Sequence, residues 1–144
     1  MRTGCLPMRI SKSRVTALEV ARQAGGLAAM RALLALPLRP TAVFCANDLI
    51  ALGAHKACAI AGVALPSAMS ILGCDDVDIG TLVTPELSTI STPKRELGAR
   101  AVRLLLRQLD GDARAMPSVQ TLPVKLVLRG TTDRPAITAA GRSS

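Results

Sequence analysis

The stretch Pro40 to Asp76, PTAVFCANDLIALGAHKACAIAGVALPSAMSILGCDD, decides the fold. TAVFCA (Thr41 to Ala46) is a short apolar run bounded by turn signals and reads as a buried strand. Asn47-Asp48 follows, a pair of residues favoured at helix N-termini, with Asp48 the better fit to the capping role and Asn47 open to turn chemistry or ligand contact. LIALGAHKACAIA carries a helical pattern to Gly62, where a left-handed C-terminal cap favours glycine. Gly53 lies inside this helix at a cost of about 1 kcal/mol against alanine, which predicts close packing there. After the connection Val63 to Pro66, MSILGC (Met69 to Cys74) is a second buried strand, and Asp75-Asp76-Val77-Asp78 forms an acidic loop at its end.

Outward from this core the alternation continues. On the N-terminal side, order begins at Gly25-Gly26 and LAAMRALLAL repeats apolar residues at helical spacing until Pro37 and Pro40 end it. On the C-terminal side, Leu87 to Ile90 is a short third strand, and Pro93 opens a strongly amphipathic helix. Leu97, Ala101, Leu104, Leu105 and Leu109 share one face of it; Arg100, Arg103 and Arg107 share another. Val119 to Leu128 has strand character, but Pro123 marks it as an edge strand or a bulge. From Thr131 onward the chain reads as a polar, fraying tail. Continuous apolar strands separated by amphipathic helices predict an α/β fold, a doubly wound parallel sheet covered on both faces.

Composition narrows the function classes. Hydrophobic residues make up 49% and charged residues 19%, which places the chain among globular domains. No apolar run approaches the roughly 20 residues needed to span a bilayer, and the start shows no secretory leader, so a cytoplasmic location is expected. Cys5, Cys45, Cys58 and Cys74 form no Cys-x-x-Cys pair, and there is one histidine, so neither a metal site nor a cofactor site is expected. The net charge of +8 is spread over Arg2, Arg9, Lys12, Arg14, Arg22 and the arginine helix, with no aromatic interleaving and no helix-turn-helix signature. It reads as a solvated basic surface.

In an open α/β sheet, ligands bind beyond the carboxyl ends of the strands. Asn47 and Asp75 each follow a strand directly, and both would lie on one rim if those strands are parallel neighbours. An amide and a carboxylate suit a polyhydroxylated ligand. Asp76 and Asp78 read as loop-solvating residues. His55 stands mid-helix with no nucleophile or base at a useful spacing, and no phosphate-cradling glycine loop occurs, so an enzyme is not expected.

The segment Pro40 to Asp76, with LSTISTPKRELGARAVRLLLRQLDG (Leu87 to Gly111) and LPVKLVLRGTT (Leu122 to Thr132), resembles the effector-binding domain of the lactose/galactose (LacI/GalR) repressor family. The resemblance implies the C-terminal lobe of a two-lobed, periplasmic-binding-protein-like sensor over residues 24–132. It leaves 1–23 as a poorly matched segment and 133–144 as a disordered tail. It implies a small sugar-like effector held by Asn47 and Asp75, and a homodimer with Leu52, His55 and Val83 at its interface. DNA binding would belong to a head domain that this sequence does not contain. Arg2-Thr3-Gly4-Cys5 is a distorted echo of an Arg-x-x-Gly-aromatic element, and Cys74 stands where relatives often carry an aromatic residue. A solute-binding protein of an uptake system has the same fold and is the alternative; a thiol enzyme is a third reading.

Overall fold

The computed structural model describes residues 22–111 and 119–134. The elements run α1 (Gln23–Leu34), β1 (Ala42–Phe44), α2 (Asp48–Ile60), β2 (Ser70–Cys74), a single 3-10 turn (Asp78–Thr81), β3 (Ser88–Ser91), α3 (Lys94–Leu109) and β4 (Lys125–Val127). The sheet order is β1-β2-β3-β4. The first three strands are parallel, as the alternation predicts. The fourth is antiparallel to β3 and occupies an edge. The strand character read from Val119 to Leu128 shrinks to three residues beyond Pro123, whose missing N–H cannot join a ladder.

Register sorts the strand residues onto two faces. Val43 pairs with Ile71, and Gly73 with Thr89; these share one face. Phe44 pairs with Leu72, and Cys74 with Ile90, which faces Leu126 across the antiparallel pair. Ile71, Met69, Leu87 and Met30 are fully buried, and Ala51, Ala54, Ala57 and Cys58 of α2 join them in the core. The other face is open among the described residues: Phe44 is 61% exposed and Leu126 59%.

Two glycines let α1 lie against α2. A Cβ on Gly26 would enter the van der Waals envelope of the Ile50 carbonyl oxygen, and one on Gly53 would strike the carbonyl oxygen of Gln23 and come within 2.8 Å of the Leu27 nitrogen. The close packing anticipated at Gly53 is therefore a backbone-to-backbone contact between helices. By contrast α3 buries none of its residues; Leu97, Leu105 and Leu109 are 57%, 55% and 74% exposed.

Thr131 corrects the reading of a fraying tail. It is fully buried, and its carbonyl accepts from Ile71 N (2.8 Å). Its hydroxyl donates to the Ile71 carbonyl (2.7 Å) and accepts from Ser88 N (2.9 Å). Ser88 and Thr132 share a further hydroxyl bond at 2.8 Å. A wedge of small polar side chains thus completes the sheet between β2 and β3. The expected irregular segment, apart from Arg22 and Gln23, and the expected tail beyond Arg134 lie outside the described residues.

Candidate functional site

The carboxyl ends of β1, β2 and β3 form one rim. The Cys45 N–H donates to the Leu72 carbonyl (2.8 Å), and the Asp75 N–H donates to that of Ile90 (2.9 Å), so the ladder extends to the residues that leave the sheet. Asn47 and Asp75 therefore emerge from adjacent parallel strands on the same side. Both are half-buried.

Asn47, not Asp48, caps α2. Its side-chain oxygen accepts from Ile50 N at 2.8 Å, which occupies the oxygen and leaves the amide nitrogen as a donor for the rim. Asp48 is the first helical residue and is 1% exposed. One carboxylate oxygen accepts from the Thr89 hydroxyl (2.6 Å) and the other from Val77 N (2.9 Å). Gly73 makes room for it, since a Cβ there would strike the Asp48 carboxylate.

The turn after β2 is strained. Asp75 and Asp76 have φ of 112° and 55°, values that side chains other than glycine rarely adopt. Strain of this kind persists only where the surroundings over-determine it, and here they do. Asp76 N donates to the Thr89 hydroxyl oxygen (3.3 Å), and the Lys94 ammonium donates to the carbonyls of Asp75 and Asp76. The Arg129 guanidinium donates to the Asp76 carboxylate (2.7 Å) and to the Leu87 carbonyl (2.8 Å). Among the described residues the hydrogen bonds of Asp75 run through its backbone.

Asp76 is therefore more than a loop-solvating residue. The hydrogen bond from Arg129 holds its carboxyl below the ordinary 3.8, against the opposing effect of burial; Ser91 and the positive charges of Arg129 and Lys94 add to the lowering. A carboxyl whose folded value is depressed stabilises the fold above its unfolded value and loses that contribution as pH falls through the folded one. Asp76→Asn is expected to cost about 1 kcal/mol or less at pH near 6, because the pair is partly solvated. Urea midpoints should converge for the two proteins as pH falls below about 4; a gap of constant size would show that the ion pair contributes nothing.

The three described cysteines are shifted in the wrong direction for nucleophiles. Burial, with the neighbouring Asp48 carboxylate and then Cys58, pushes the Cys45 thiol up to about 11. Burial also raises Cys58, and it is the largest influence raising Cys74. Reactive cysteines need a lowered value, so the thiol-enzyme reading has no support among these three; Cys5 lies outside the described residues.

The remaining site residues fall elsewhere. Leu52 (5% exposed) and His55 (8%) are buried within the chain, and the His55 Nε2–H donates to the Pro85 carbonyl (3.2 Å). Val83 is half-buried against the core. α1 covers one side of α2, against Ile50 and Gly53, and on another side His55 is tied to the loop at Pro85. The exposed positions of α2 are Leu49, Lys56, Ala59 and Ile60. Thr89 and Arg129 escaped the sequence reading, although Arg129 opens the quoted R-G-T motif; a threonine inside a strand carries no signal of its partner. Arg2-Thr3-Gly4-Cys5 lies outside the described residues.

Comparison with known proteins places this geometry. Residues 4–132 match the family model of the periplasmic binding protein-like domain. The chain is 38% identical over 107 residues to the ribose operon repressor of Escherichia coli (strain K12), covering 74% of this chain and 32% of that one. It is 40% identical over 107 residues to the HTH-type transcriptional repressor CytR of the same strain, covering 74% and 31%. The chain thus spans about a third of the length of the curated relatives it matches. Among solved structures, a LacI family transcriptional regulator from Enterococcus faecalis V583 with bound ribose superposes with a TM-score of 0.69 at 37% identity, over 78% of this chain and 41% of that one. The Lac repressor dimer bound to operator and an anti-inducer gives a TM-score of 0.69 at 35% identity, over 77% and 38%.

Proposed function

Because the chain belongs to the periplasmic binding protein-like family, in the form carried by LacI-family transcriptional regulators, we propose that it is the ligand-sensing lobe of a cytoplasmic repressor for a small sugar-like effector. The observation that carries this is the placement of Asn47 and Asp75 on adjacent parallel strand ends. An amide donor and a carboxylate acceptor on one rim suit the vicinal hydroxyls of a sugar. In this reading the lobe occupies residues 24–132, DNA contact belongs to a head outside this chain, and the chain has no catalytic role. The matched curated relatives are named as repressors, and they favour this reading over an uptake-system binding protein. Among the described residues no helix is long and apolar enough to cross a membrane.

Ribose, seen bound in a similar solved structure, is the natural first probe. D-ribose titrated into the chain should shift the amide resonances of Asn47 and Asp75. Asp75→Ala should weaken binding by about tenfold or more, the loss of a hydrogen bond to a charged acceptor worth roughly 1.5–3 kcal/mol. Asp78→Ala, on the exposed 3-10 turn, should leave binding unchanged. The reverse ranking would remove Asp75 from the site.

The reading includes a homodimer built around α2. Leu49 (48% exposed) and Ile60 (57%) are the apolar side chains that helix presents, and Ile79 (49%) and Leu82 (80%) lie on and just after the 3-10 turn beside Val83. In this arrangement Leu52, His55 and Val83 support the interface from beneath.

A further inference from the structure

We infer that Asp48 and Thr89 are the positioning pair of the rim: the hydrogen bond between them sets where Asn47 and Asp75 stand relative to each other. The inference rests on the effector-binding reading of those two residues and assigns a role to two side chains buried behind them. Asp48 adjoins Asn47 in sequence, and its carboxylate reaches two other elements. One oxygen accepts from the Thr89 hydroxyl on β3 (2.6 Å); the other accepts from Val77 N in the turn after β2 (2.9 Å). Thr89 in turn accepts from Asp76 N (3.3 Å). The start of α2, the strained Asp75–Asp76 turn and β3 therefore meet on one carboxylate–hydroxyl pair. Both residues are buried, Asp48 at 1% and Thr89 at 0%. The carboxylate enters this space because residue 73 has no side chain.

The chemistry constrains the pair closely. A carboxylate accepts at both oxygens, whereas an asparagine amide accepts at one and would turn an NH2 toward either a donor N–H or the Thr89 oxygen. Thr89 must donate to Asp48 while accepting from Asp76, which a hydroxyl does and a methyl cannot. Removing either partner leaves buried polar groups unsatisfied in the segment that carries Asp75. Residue types that only filled space would show no such dependence on the hydroxyl.

Thr89→Val and Thr89→Ser separate position from packing. Valine keeps the β-branched shape and removes the hydroxyl; serine keeps the hydroxyl and removes the methyl. The amide resonances of residues 75–77 are followed in the free chain, and D-ribose binding is measured in parallel. Thr89→Val should move those three resonances and weaken ribose binding about tenfold or more, the scale of a lost hydrogen bond to a charged group. Thr89→Ser should stay within about twofold of the parent, as it keeps that bond. A Thr89→Val chain with unmoved resonances and undiminished binding overturns the inference. If the parent chain takes up no ribose, the effector-binding reading fails on that probe, and the resonances alone decide the positioning role. Should Thr89→Val not fold, Asp48→Asn is read by the same resonances: movement supports the pair, and silence rejects it.

Discussion

Gly53→Ala is expected to destabilise the chain by about 3 kcal/mol, the upper end of the usual cost of forcing atoms into a packed interior. The sign is the diagnostic. In an uncrowded helix the same substitution would stabilise by up to about 1 kcal/mol, since alanine is the better helix former. Here the added methyl meets the backbone of α1, at Gln23 and Leu27, where no side chain can swing aside. The two helices must separate, and the core to which Met30 of α1 and Ala54 of α2 belong loosens. Urea denaturation of the variant checks this; a midpoint at or above that of the parent would mean that α1 does not lie against Gly53.

Leu52→Lys is the second large effect. If Leu52 were a surface residue of a dimer, lysine there would yield a folded monomer. It is 5% exposed inside its own chain, so lysine must either bury an ammonium group or open the core, at a cost of several kcal/mol. Loss of the helical circular dichroism signal is the expected outcome. Ile60→Lys, on the exposed side of the same helix, should keep the helical circular dichroism signal of the parent even where it weakens self-association. A folded, monomeric Leu52→Lys chain would restore Leu52 to the surface.

These two positions show where sequence reading succeeds and where it stops. The strand–helix–strand unit from Thr41 to Cys74 was legible because a single period dominates each segment and Gly62 and the prolines punctuate it. Gly53 was legible as a packing site because a glycine inside a helix carries a cost that something must offset. Leu52 is buried within its own chain, which its spacing alone could not assign, because periodicity reports that a face wants burial and does not say which neighbour buries it. The same gap concerns α3, whose apolar face the spacing of Leu97, Leu104 and Leu105 reveals, yet which buries none of its residues. Asn47 and Asp75 could be placed on one rim from strand order alone. The network behind them could not. Asn47 and Asp48 are both competent caps, and only the backbone's entry angle decides which oxygen reaches the helix amides. Thr131 was lost among small polar residues, because a residue that binds three backbone groups looks, in sequence, like one that binds water.

Thr131 also gives the chain an order of assembly. Its hydroxyl bonds to a residue 60 positions earlier and to one 43 positions earlier. Loops of that length close slowly compared with helices and hairpins. During synthesis β1, β2 and β3 leave the ribosome before their sealing residue exists, and until it arrives Ser88 and Ile71 present buried amides with nothing to accept from them. The sheet is therefore locked from its C-terminal side, after translation has passed the last strand. A nascent chain halted between Ser91 and Thr131 would hold β1, β2 and β3 in sequence but not the bolt that joins Ile71 and Ser88.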